Sequence, residues 1–124
     1  MAAVFEVHRE QGGGLSEDIY QESLEIELSL REIPFKPKRE LSVSYKGRKL
    51  NKTYIPDLVV HDKIIVELKS VKELIPEFEA QLINYMRITR QPVGYLVNFG
   101  PIAKVQWKRF VLSEHSNRSE VAEQ

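Results

Sequence analysis

The sequence predicts an α/β sandwich built on one mixed β-sheet of four to five strands flanked by α-helices. Three observations predict it. Leu41, Val43 and Tyr45 alternate with Ser42, Ser44 and Lys46, the period-two pattern of a strand with one buried face. Two other stretches, opening at Ser16 and at Pro76, space their apolar residues as helices do. Val93 to Phe99 is almost wholly apolar, as a central strand is.

In chain order, residues 2–10 read as a short helix that stops at Gly12-Gly13-Gly14, because three glycines cannot sustain one. Ser16 is the N-cap of a second helix, with Glu17 and Asp18 in its first turn, where carboxylates suit the helix dipole. Ile19, Tyr20, Leu24, Leu28 and Leu30 give that helix an apolar side, and Pro34 ends it. Lys46-Gly47 then turns the first strand into a second, running from Lys49 to Val60. Pro56 cannot donate to a ladder, so this strand ends, bulges or lies at an edge near Asp57. A third strand runs from Ile64 to Lys69, and Pro76 to Thr89 forms the crossover helix, with Phe78, Leu82, Tyr85 and Met86 or Thr89 on one stripe. Strands at Val93 to Phe99 and Val105 to Leu112 complete one domain over residues 1–112, and residues 113–124 read as a flexible polar tail.

Composition narrows the class. The 124 residues suit a single core, and 42% hydrophobic with 29% charged residues is ordinary for a globular chain. The absence of cysteine excludes disulfides and thiolate metal sites and suits a cytoplasmic protein. No apolar run approaches a membrane span, and no basic-then-apolar leader opens the chain. The formal net charge is zero, yet charge is segregated. Residues 1–32 hold eight acids against Arg9 and Arg31, whereas residues 33–52 hold seven bases against Glu40. Lys46, Arg48, Lys49 and Lys52 in that basic block are candidate phosphate contacts, although such a block is also what a solvated hairpin edge carries.

Charge interrupts the apolar strands at Asp57, Glu67 and Lys69, where an unpaired buried ion would be costly. Glu67 and Lys69, two residues apart, share a face. A three-residue loop of His61, Asp62 and Lys63 would pair Val60 with Ile64 and set Asp57 opposite Glu67; a two-residue loop would send Asp57 to the other face. The three-residue loop is the expectation, because it gathers two carboxylates and an ammonium where a hard divalent cation can bind. A cross-strand salt bridge on an edge hairpin is the plainer alternative.

Asp57 after Pro56, Glu67-Leu68-Lys69 on the next strand and this order of elements resemble the PD-(D/E)XK nuclease superfamily. Gln81 and Tyr85 on the following helix resemble the Gln-x-x-x-Tyr motif of its RecB-like branch. Gly14-Leu15-Ser16-Glu17-Asp18-Ile19-Tyr20 is similar to the motif that names the GxxExxY family, a bacterial and archaeal branch; its turn is usually Gly-Pro-Gly, so three glycines should loosen it. The resemblance implies a nuclease-like core, Mg²⁺ or Mn²⁺ as cofactor and nucleic acid, chiefly DNA, as partner. Asp57, Glu67 and the main-chain carbonyl of Leu68 would hold the metal, with Glu17 and His8 as further candidates. Lys69 would orient the attacking water or stabilise developing charge, and Gln81 and Tyr85 would position Lys69 or the nucleic-acid backbone. The other readings are a nuclease-fold module that binds nucleic acid or a partner protein without catalysis, and a homodimer joined through a strand edge or the first helix.

Overall fold

The computed structural model describes residues 1–113 in full and the main chain of residues 119–123. Its elements are α1 (Ala2–Gln11), α2 (Glu17–Leu30), β1 (Phe35–Pro37), β2 (Leu41–Tyr45), β3 (Arg48–Tyr54), β4 (Leu58–Val60), β5 (Ile64–Lys69), α3 (Pro76–Thr89), β6 (Val93–Asn98), β7 (Gln106–Leu112) and β8 (Ser119–Glu123). The sheet is mixed. β4 and β5 form an antiparallel hairpin, α3 carries the chain over to β6 parallel to β5, and β7 returns antiparallel.

Three expectations need correction. The strand expected from Lys49 to Val60 is two strands, β3 and β4, because the missing N–H of Pro56 ends the first. β3 therefore leaves the main sheet and, among the described residues, pairs only with β2, forming a separate two-stranded arm. β1 takes the vacated place beside β4, with Phe35 opposite Val60, and the main sheet has six strands in the order β1-β4-β5-β6-β7-β8. The segment expected as a flexible tail contributes β8, since its main chain can ladder on β7 without aromatic side chains, Val121 opposite Phe110. Residues 114–118 and 124 lie outside the described residues.

Two cores sandwich the sheet. On one face α1 and α2 place Val4, Val7, Tyr20, Leu24 and Leu28 over Leu58, Val66, Leu68 and Val97. On the other, Leu82 and Met86 of α3 and Leu41 and Tyr54 of the arm cover Val59, Ile65, Leu96 and Phe110. In α2, Ile19 and Leu30 are exposed and Gln21 is buried in their stead. No helix among the described residues is long and apolar enough to cross a membrane.

Candidate active site

The β4–β5 turn decides where Asp57 points. Val60 pairs with Ile64 and Leu58 with Val66, the register of the three-residue loop. His61 and Asp62 take φ of 53° and 60°, a left-handed pair whose positive φ suits the twist of a tight hairpin. Asp57 thus meets Glu67: its N–H donates to Glu67 Oε1 at 2.8 Å, and its own Oδ2 accepts from the Leu68 N–H at 2.7 Å. The two carboxylates are joined through the main chain at the point where β4 begins.

Pro56 prepares this point. In the antiparallel ladder it would stand opposite Leu68, two residues on from the Leu58–Val66 pair. Asp57 is turned the other way, its carbonyl accepting from Lys38 N at 3.2 Å on the β1 side. Proline has no N–H to give, so position 56 cannot donate to the Leu68 carbonyl.

The electrostatics fit a site that wants a cation. Burial, and then the Asp57 charge, push Glu67 up to about 7, although the Asp57 N–H and the ammonium groups of Lys69 and Lys38 pull it down. Lys38 Nζ lies 2.6 Å from Asp57 Oδ1. Desolvation works against the Lys38 ammonium, but its bond to Asp57 and the charges of Asp57, Glu67 and Asp18 prevail and hold its pKa above the ordinary lysine value. The Tyr54 hydroxyl is buried beside Glu67; burial and the nearby Glu67 and Asp57 charges keep it protonated far above the usual phenol range. Among the described residues no three His, Cys, Asp or Glu side chains are close enough to form a metal cage. The two carboxylates could serve a divalent cation as hard oxygen ligands.

Lys69 follows Glu67 on the same strand face, and its ammonium sits 4.3 Å from the centre of the Phe78 ring on α3. Tyr85 stacks on Tyr54 with ring centroids 3.8 Å apart, closing the site on the α3 side. Gln81 is exposed on α3 and makes no hydrogen bond among the described residues, so the structure does not bring it to Lys69.

Glu17 reaches the site from the opposite layer. Its helix does not lie across the carboxylate face, as a direct contact would need; it arrives round the strand end, where Glu17 Oε2 accepts from Ser70 N at 3.3 Å. A clasp holds it there. Tyr20 stacks on Phe99 at 4.4 Å, and its hydroxyl donates to Gly12 O at 2.6 Å and accepts from Leu15 N at 3.0 Å. Ser70 Oγ donates to the Leu15 carbonyl. The triple-glycine turn is consequently not loose: Gly14 N bonds Phe99 O, and a Cβ on Gly13 would run into the Pro101 carbonyl.

His8 is placed away from the acid pair. Its ring is buried beside Phe99, and Nε2 stands 2.8 Å from the Pro101 carbonyl, which requires the N–H on that nitrogen and commits it to the loop after β6. Asn98, fully buried, joins Val71 N, Val71 O, Gly100 N and Gln106 Oε1, fixing the segment that leaves β5.

Sequence reasoning missed Lys38, Gln21 and Tyr54. Gln21 donates to the Asp57 carbonyl at 2.9 Å, and a lone amide on the buried stripe of α2 was the signal for it. Tyr54 reads only as a strand residue until β3 is seen to end at it, two residues before Pro56.

A family model of the PD-(D/E)XK nuclease superfamily matches residues 1–110. No curated protein matches the chain. No solved structure matches it either. The match takes in Asp57, Glu67 and Lys69 together with every element that positions them, and the chain belongs to the PD-(D/E)XK nuclease superfamily.

Proposed function

We propose that this protein is a Mg²⁺- or Mn²⁺-dependent nuclease that hydrolyses phosphodiester bonds in DNA. Nucleases of the superfamily generally use divalent metal ions. The observation that carries the reading is the bonded pair of Asp57 and Glu67, with Lys69 two residues on. Asp57, Glu67 and the Leu68 carbonyl would hold the ion, and Glu17 at the strand end would bind one of its waters. A cation bound there supplies a Lewis acid for the phosphate and lowers the pKa of a water. Lys69 orients that water or meets the charge that develops on the phosphoryl oxygens. Tyr85 and Tyr54 form an aromatic wall, and Gln81, exposed on α3, would touch the nucleic-acid backbone. The Gly12–Tyr20 clasp, which delivers Glu17, supports placement in the GxxExxY, RecB-like branch, and a cysteine-free chain suits work in the cytoplasm.

Purified protein incubated with single-stranded, flap and supercoiled DNA, and with RNA in parallel, should cleave DNA in Mg²⁺ or Mn²⁺ and not in EDTA. Glu67→Ala and Lys69→Ala should each lower the rate by about 10²-fold or more. Cleavage that survives both substitutions overturns the reading. A second reading, a non-catalytic nucleic-acid module, rests on Lys46, Arg48, Lys49 and Lys52, all exposed on the β2–β3 arm. Metal-independent binding without any cleavage would favour it.

A further inference from the structure

Lys38 holds Asp57 twice. Its N–H donates to the Asp57 carbonyl at 3.2 Å, and its ammonium reaches Asp57 Oδ1 at 2.6 Å. The main-chain bond extends the β1–β4 ladder by one residue, from Pro37 opposite Leu58. Lys38 takes φ of 51°, a left-handed conformation that turns the chain out of β1 immediately after this bond. Its root is therefore fixed by the sheet, while its head is free to leave: the side chain is 57% exposed, and an ion pair so open to water is cheap to break.

The oxygen it holds belongs to a carboxylate that the proposed function assigns to a metal. An ammonium at 2.6 Å and a divalent cation repel each other, and Glu67 and Asp18 add their fields to the same spot. We propose that Lys38 is a positioning residue that exchanges partners: it is the counter-ion of Asp57 while the site lacks metal, and it turns to a phosphodiester oxygen of the bound nucleic acid once a cation has taken its place. The inference rests on the metal-dependent nuclease reading. A flexible four-carbon stem anchored beside Asp57 would keep the released ammonium close to the site and to a phosphate bound there. The ion pair thus lowers metal affinity in the free protein and returns the charge as substrate affinity in the complex.

The test compares wild type with Lys38→Met and Lys38→Gln, which both keep the main-chain bond, after thermal unfolding has established that they fold. Calorimetric titration with Mn²⁺ alone should show binding about three- to tenfold tighter in both variants. Anisotropy of a fluorescent oligonucleotide in Ca²⁺, with intact length checked on a gel, should show binding about three- to tenfold weaker. Unchanged or weaker Mn²⁺ binding in the folded variants, or unchanged oligonucleotide binding, overturns the exchange. If Glu67→Ala abolishes Mn²⁺ binding while Lys38→Met leaves it as in wild type, only the role of Lys38 falls. If neither wild type nor Lys38→Met binds Mn²⁺, the metal site falls and the exchange with it.

Discussion

Glu67 is a carboxylic acid with a pKa of about 7 against an ordinary 4.5, and burial beside Asp57 is the reason. An acid raised in this way binds its proton more tightly in the folded chain than in the unfolded one. The stability this gives the metal-free protein is complete below about 4.5 and is lost as pH rises through about 7. Urea unfolding of the metal-free protein should therefore show stability declining across that window, by on the order of 3 kcal/mol, and Glu67→Gln should flatten the decline. Metal affinity should run the opposite way, rising with pH until Glu67 is ionised, because the ion takes the deprotonated form. The residues behind this behaviour are unequally legible in the sequence. Asp57, Glu67 and Lys69 stand out because charge in an apolar strand needs a reason. Lys38 does not, because one lysine among seven bases carries no mark until the sheet brings it to Asp57.

Helices and longer strands declare themselves through periodicity: α3 starts and ends where Pro76 and Gln91-Pro92 predict, and the β4–β5 loop has the expected length. β1 does not, because Phe35-Lys36-Pro37 is too short to show alternation, follows Pro34 and itself ends in a proline. The triple-glycine turn misleads in the other direction. Composition alone makes it flexible, whereas its surroundings leave no room for a side chain at Gly13. The same holds across the clasp, where a Cβ on Gly100 would collide with the Val71 main chain. Gly100→Ala should cost about 1–3 kcal/mol or more in chemical unfolding, since neighbouring backbone cannot yield as a side chain can. It should also slow cleavage, because Val71 directly follows Ser70, whose N–H holds Glu17.

At the scale of the molecule, the sheet divides labour. One face is an apolar platform for α1 and α2, and the other faces α3 and the β2–β3 arm, with the acid pair at its margin. The arm gathers Lys46, Arg48, Lys49 and Lys52 in solvent on a protein of zero net charge, so attraction to a polyanion is local. Reversing Lys46, Arg48 and Lys49 to Glu should weaken oligonucleotide binding and flatten its salt dependence by roughly 0.7–0.9 log units for each phosphate no longer neutralised, as anisotropy across a KCl series would measure. Unchanged slopes would move the nucleic-acid path elsewhere. The segregation of charge is visible in the sequence, but its projection on a detached arm is not, since that depends on where β3 abandons the sheet.

That departure is the work of Pro56. A residue with an N–H there would let the strand continue and would spend the Leu68 carbonyl on one more rung. The sheet would be more regular, and the oxygen would no longer be available to a ligand. Position 56 is thus a place where mending the architecture disarms the chemistry: the defect in the ladder is the socket.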